Sequence, residues 1–243
     1  MKKLWRAFCL AVGTFSILPV PQKKWDESAR SRMLVFLPVI GALCGLCWYF
    51  LALLPEGFLP AALMALLPFV FSGFIHLDGF MDCCDAILSR RDLQTRQQIL
   101  KDSHVGAFAV ICVAALMLVQ FAAFCDMSLL AARRTLLLLP VCSRCVCALA
   151  VSILPARKES QYAGDFSREN KRVQIAFLLA ELIAALASGF VFGGLAALGV
   201  CVLAAALAIF FAVRQLGGMS GDISGFALTV AEVCGIVTLC IIF

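Results

Sequence analysis

The sequence predicts an all-α, polytopic helical membrane protein of about six to seven transmembrane helices, preceded by a helix lying in the membrane interface. Three observations carry this prediction. The chain is 63% hydrophobic and only 14% charged, with a mean hydropathy of +1.00, well outside the balance of a soluble domain. Apolar runs long enough to cross about 30 Å of hydrocarbon recur along its 243 residues. The basic residues collect on alternate sides of those runs, as the positive-inside rule requires. No stretch between the runs is long enough to bury a core of its own, so residues 1–243 read as a single integral membrane domain.

The chain begins with MKKLWR and the short apolar run AFCLAVGTFSILPV, the outline of a signal peptide. Cleavage is not expected, because Pro19 and Pro21 lead into a basic segment that belongs in the cytoplasm. Residues 1–32 are instead expected to form an interfacial or half-entering helix, with Trp5 and Trp25 near headgroup level.

Seven apolar runs follow, at 33–54, 58–77, 105–125, 133–153, 173–192, 195–213 and 226–243. The first two are separated by PEGF around Glu56, which leaves room only for a tight hairpin. Gly41 and Gly45 make a small-xxx-small pair where a neighbouring helix can approach closely. Pro140 and Arg144 interrupt the fourth run, and the last run is barely long enough to span. With residues 1–32 inside, alternation puts every lysine and arginine except Arg133, Arg134 and Arg144 on the cytoplasmic side. Segments 78–104, 154–172 and 214–225 then face the cytoplasm. The net charge of +5 favours anionic headgroups and anionic substrates, and no motif points to nucleic acid.

Thirteen cysteines invite a disulfide or zinc reading. Most lie inside apolar runs, where Cys behaves as a small hydrophobe. The pairs Cys44/Cys47 and Cys142/Cys145 are embedded in candidate spans without a second pair or a soluble domain around them.

The polar weight of the chain falls between the second and third runs, in GFIHLDGFMDCCDAIL and the residues after it. Asp78, Asp82 and Asp85 are spaced i, i+4, i+7, within about 60° of one another on a helix face. Like charges so crowded repel unless a divalent cation or a cationic group sits among them, and metal ligation is the leading reading. RRDLQTRQQILK follows as an interfacial helix that can touch lipid or protein through Leu93, Ile99 and Leu100. Asp102 and Ser103 stand where either caps the next helix, whose free amides also suit a phosphate. His76 and His104 flank the aspartates, either as donors to phosphate or as satisfied interfacial histidines.

PARKESQYAGDFSRENKR at 155–172 is the second long cytoplasmic segment and reads as part of a lid. GGMSGDISG, from Gly217 to Gly225, is expected to be a glycine-rich turn, either a linker or a pocket floor whose amides surround an anion and whose Asp222 completes a metal shell. Arg144, Glu181 and Glu232 lie inside spans, at roughly 2.5–3.5 kcal/mol each on insertion scales, so they should face a cavity or one another. Glu232 is expected to line the same cavity as Asp222. Arg144 is expected either to hold a phosphate or to pair with Glu181.

HLDGFMDCCDAI at 76–87, KDSHVGAFAV at 101–110 and GGMSGD at 217–222 resemble three motifs of the cobalamin synthase family, the adenosylcobinamide-GDP ribazoletransferases. FSILPVP at 15–21 and PVIGALCGL at 38–46 extend the likeness, in the family's order, from near the N-terminus to Glu232. Cys83 and Cys84 replace the usual small or hydroxyl residues, Ala86 stands where glycine is common, and His104 stands where arginine is frequent. No aspartate is lost. The resemblance implies joining adenosylcobinamide-GDP to α-ribazole or its 5′-phosphate with release of GMP, dependent on Mg²⁺, in a bacterial inner membrane. It further implies that Asp78, Asp82 and Asp85 hold one or two Mg²⁺, with Asp82 catalytic, while Asp102 or Asp222 completes the shell or takes the proton of the ribose 3′-hydroxyl. His76, Lys101, Ser103, His104, Arg144 and Gly221 are then candidates to contact substrate. The expected partners are these small molecules, membrane lipid, and other cobalamin-assembly enzymes or a second copy of the chain.

Two rival readings are set against this one. A CDP-alcohol phosphotransferase also works with membrane aspartates and a divalent metal, but its motif places Ala-Arg three residues after Asp-Gly, where this chain has Phe80, Met81 and Asp82 after Asp78-Gly79. A secondary transporter would route ions past Arg144, Glu181 and Glu232, yet the aspartate motif has no second copy in the C-terminal half.

Overall fold

The computed structural model describes residues 2–21, 29, 32–157 and 171–243. Trp25 and most of the lid expected at 155–172 lie outside the described residues. Among those described, regular structure is helical throughout, with one isolated parallel bridge between Ala156 and Met219.

Helix α1, Lys2–Phe15, buries Ala7, Leu10, Ala11 and Phe15 and leaves Leu4 and Trp5 exposed. This one-sided pattern at i, i+3, i+4 packs α1 against the start of α2 (Leu37–Leu51), which is entered through a 3-10 turn at Leu34–Phe36. Gly41 and Gly45 face α7 (Leu129–Ile153), where an added Cβ would run into the backbone carbonyls of Pro140 and Leu137. The small-xxx-small pair therefore seats two backbones against each other.

The run expected as one span at 58–77 is broken. Helix α3, Phe58–Phe71, and α4, Ile75–Leu88, meet at 88°. Gly73 (φ 61°) and Phe74 (φ 65°) are both left-handed. The Phe74 amide reaches the Phe69 carbonyl at 2.7 Å and the Gly73 amide the Val70 carbonyl at 3.0 Å, the bond pattern of a Schellman helix end. A polar helix cannot continue into hydrocarbon, and this cap turns the aspartates of α4 across the bundle end.

Asp92 caps α5 (Leu93–Ile99) by accepting the Thr95 amide at 3.0 Å. Helices α6 (Ala107–Asp126), α7, α8 (Lys171–Val191), α9 (Leu195–Leu216) and α10 (Gly221–Ile242) follow as long apolar rods. Among the described residues six helices, counting the 34–51 segment, are long and apolar enough to cross a membrane, and the bent α3–α4 pair taken as one span makes seven. Two expectations are corrected. Pro140 does not interrupt the fourth run, because α7 continues through it for 25 residues. The last span is not short: residues expected as a turn up to Gly225 are helical from Gly221, because Ser220 caps α10 and accepts the Ile223 amide at 3.4 Å. Burial covers 67% of the apolar window of α7 but 17% of that of α8, which places α7 at the centre and α8 on the lipid-facing rim.

Candidate active site

The helix ends that alternation assigns to one side build a shared site. Gly79 of α4 sits on α10, where a Cβ would lie 2.9 Å from the Asp222 Cα, and Gly225 of α10 sits on α4, where a Cβ would lie 2.8 Å from the His76 carbonyl oxygen. These two glycines let α4 and α10 cross backbone to backbone. Phe80 stacks on Phe226 at 5.8 Å beside the crossing. The crossing opens a cavity of 410 Å³ whose wall includes Thr14, His76, Asp78, Arg157, Gly221 and Asp222. A second, more open pocket at Gly73 and Phe74 shares Thr14, Ile75 and Asp78 with it.

Asp78 and Asp222 thus reach one cavity from opposite ends of the sequence. Asp82, half-buried one turn on, lies within the electrostatic reach of Asp78, Asp222 and Asp85. Asp85 is engaged differently. Its Oδ2 accepts the Gly106 amide at 2.7 Å and its Oδ1 the Ala109 amide at 2.9 Å, so it caps α6 from the neighbouring helix and complements the positive end of the dipole. The cap expected from Asp102 or Ser103 is not formed: Gly106 is the N-cap and offers no side chain.

Asp102 pairs instead with His104, Oδ1 to Nδ1, at 2.6 Å, on an exposed loop. That contact raises the His104 pKa and holds the Asp102 carboxyl below its ordinary value. Lys101 and Ser103 share the exposed loop, and neither they nor Asp102 and His104 line the cavity. His76 is buried, stacked on Phe15 at 6.1 Å, and among the described residues its Nε2 has no hydrogen-bond partner. Arg144 is corrected on two counts. Its Nη1 bonds Glu232 Oε1 at 2.6 Å, not Glu181, and it is fully buried below the cavity without lining it. Glu232, held also by Ser143 at 2.8 Å, is likewise absent from the cavity wall.

Thr14 and Arg157 belong to the wall and were not singled out from the sequence. The run FSILPVP pointed near Thr14, while the unspecific composition of PARKES gave no sign of Arg157.

Among the described residues no three His, Cys, Asp or Glu side chains form a closed metal-binding group. The donor set still fits Mg²⁺, which typically keeps several waters and is bound by one or two carboxylates plus substrate phosphates rather than by an all-protein cage. Asp78, in the cavity wall, and Asp82, one turn on, would supply those carboxylates.

Comparison with known proteins places this geometry. The family model for cobalamin-5-phosphate synthase matches residues 7–240. The chain is 34% identical to an adenosylcobinamide-GDP ribazoletransferase of Clostridium botulinum (strain Alaska E43 / Type E3), over 99% of each chain. It is 35% identical to the Clostridium perfringens (strain SM101 / Type A) protein of the same name over 100% of each, and 30% identical to that of Desulforamulus reducens over 89% of this chain and 88% of the relative. No solved structure matches. A match across nearly the whole length shows that the chain belongs to the cobalamin-5-phosphate synthase family.

Proposed function

We propose that this protein is an adenosylcobinamide-GDP ribazoletransferase: it joins the cobinamide phosphate of adenosylcobinamide-GDP to α-ribazole or its 5′-phosphate and releases GMP, at the cytoplasmic face of a bacterial inner membrane. The observation that carries this reading is the convergence of Asp78 and Asp222, with Arg157 beside them, on one cavity at the helix crossing.

In the reaction a ribose hydroxyl of the acceptor attacks the phosphorus bearing cobinamide, one O–P bond forms, and the bond to GMP breaks. Negative charge builds on the phosphoryl oxygens, so catalysis needs positioned donors and cations more than a protein nucleophile. Asp78 and Asp82 would hold Mg²⁺, which when bound neutralises the diphosphate and its leaving group. Asp222 lines the cavity whereas Asp102 does not, so Asp222 is the better placed to receive the acceptor's hydroxyl proton. Gly79 and Gly225 hold the two aspartate-bearing helices at this separation, and Asp85 fixes the start of α6 beside them. A cavity of 410 Å³ is drug-sized, so it takes the reacting phosphates and ribose while the bulky corrin remains outside it.

The test is GMP release by the full chain in lipid nanodiscs, with adenosylcobinamide-GDP and α-ribazole 5′-phosphate, with and without Mg²⁺. Asp82→Asn should lower metal-dependent release by about 100-fold or more while membrane insertion is retained. An inactive, correctly inserted wild type would defeat the proposal. Undiminished release by Asp82→Asn would remove Asp82 from the chemistry.

A further inference from the structure

Arg157 is buried in the cavity wall, its side chain 9% exposed, and its Nε and Nη1 have no hydrogen-bond partner among the described residues. The remaining nitrogen, Nη2, is 4.0 Å from Asp222 Oδ2, beyond hydrogen-bond range. A guanidinium stays charged at any physiological pH, so burying one with donors unmet is unfavourable unless something in the cavity accepts from them. Its position is not accidental. The Arg157 amide donates to the Met219 carbonyl at 2.9 Å and the Met219 amide to the Pro155 carbonyl at 3.0 Å. Gly218 lies so close that a Cβ there would be 2.9 Å from the Arg157 nitrogen. The backbone after α7 is thereby pinned to the turn that starts α10.

That turn brings a second, independent donor. Ser220 Oγ takes the Ile223 amide and the Ser220 carbonyl accepts the Ser224 amide at 3.2 Å. Gly221, at the first helical position and in the cavity wall, has an amide with no intrahelical acceptor. The 22-residue α10 directs its positive dipole end to the same place. An unpartnered buried guanidinium and a helix N-terminus on one cavity suit an anion with several acceptor oxygens, arranged as in a phosphoryl group.

We propose that Arg157 and the first turn of α10 form a phosphoryl-binding subsite of this cavity. The site takes either the diphosphate of the nucleotide-activated substrate or the 5′-phosphate of a phosphorylated acceptor. The choice between these sources rests on the ribazoletransferase reading; the anion site itself rests only on the geometry.

The experiment has two arms. Inorganic pyrophosphate and inorganic phosphate are titrated calorimetrically into the full chain in nanodiscs, for wild type, Arg157→Gln and Arg157→Lys. Arg157→Gln should weaken anion binding by about 10- to 100-fold, the value of losing hydrogen bonds from a charged donor. Arg157→Lys should fall between, because it keeps the charge and loses the planar fork. Steady-state GMP release then identifies the source. A raised KM for adenosylcobinamide-GDP with either acceptor assigns the diphosphate; a raised KM for α-ribazole 5′-phosphate but not for α-ribazole assigns the 5′-phosphate. The proposal is overturned if wild type binds neither anion, or if Arg157→Gln only lowers the melting temperature while anion affinity and every KM stay at wild-type values. Should Arg157→Gln fail to insert, Arg157→Lys decides by the same readouts. Arg157-dependent anion binding by a wild type that releases no GMP would sink the enzyme reading and leave the subsite standing.

Discussion

At the scale of single residues, the three ionisable groups inside spans have different fates. Arg144 Nη1 and Glu232 Oε1 pair at 2.6 Å, with Ser143 donating to the same glutamate oxygen and the Pro140 carbonyl accepting from the same nitrogen, while Arg144 Nε and Nη2 have no hydrogen-bond partner among the described residues. Glu181 has a buried oxygen without a partner among the described residues. Arg144 and Glu232 are fixed by mutual need, since a lone charge in this interior is far more costly than a hydrogen-bonded pair. Glu232→Gln or Arg144→Met alone should therefore cost about 3–5 kcal/mol, and the double substitution Arg144→Met with Glu232→Leu should be close to neutral. Reversible unfolding in mixed micelles measures this, and equal losses in single and double variants would contradict it. The sequence named these residues as intramembrane charges but not as partners: 88 positions separate them, and spacing along the chain carries no information about which faces of two spans meet. Asp85 illustrates the same limit. Its i+7 relation to Asp78 grouped it with the carboxylates, while only packing brings it to the α6 amides.

At the scale of elements, the crossing of α4 and α10 determines the site. Gly79 and Gly225 each face backbone atoms, which cannot yield as a flexible side chain can. Gly225→Ala should separate the helices, costing about 1–3 kcal/mol by overpacking, and should lower GMP release more than stability alone accounts for. Gly199→Ala in α9 is the matched control. A Cβ there meets nothing within 4 Å, so the change should be neutral or stabilising by up to about 1 kcal/mol. Thermal melts and turnover of both variants test the pair, and equal behaviour would show that the close approach is not what holds the cavity open. The broken α3–α4 span was hidden from the apolar pattern, because hydropathy continues through residue 77 while the bend comes from two consecutive left-handed residues. The start of α10 was hidden for the opposite reason: glycines in GGMSGDISG read as a flexible turn, but Gly221 and Gly225 are helical, and Gly225 is needed for contact rather than for backbone freedom.

At the scale of the molecule, alternation places α1, α4, α5, the residues after α7 and the start of α10 on the basic side and the end of α10 on the other. Alkaline phosphatase fused after Phe243 should accordingly be active in the periplasm, and the same reporter fused after Gly217 should be inactive; the reverse pattern would invert the protein and put the cavity outside. Hydropathy, charge alternation and the ordered motifs by themselves determined the class of protein, its span number to within one and its family, because each of these is written in local composition. Only the tertiary structure decided that Asp78 and Asp222 share a cavity, that Asp85 caps α6, that Arg144 pairs with Glu232, and that Arg157 stands in the cavity wall. Those outcomes depend on which helix faces touch and how closely, and in a bilayer that is settled by small-residue packing and by the need of each buried polar group to find a partner from another helix.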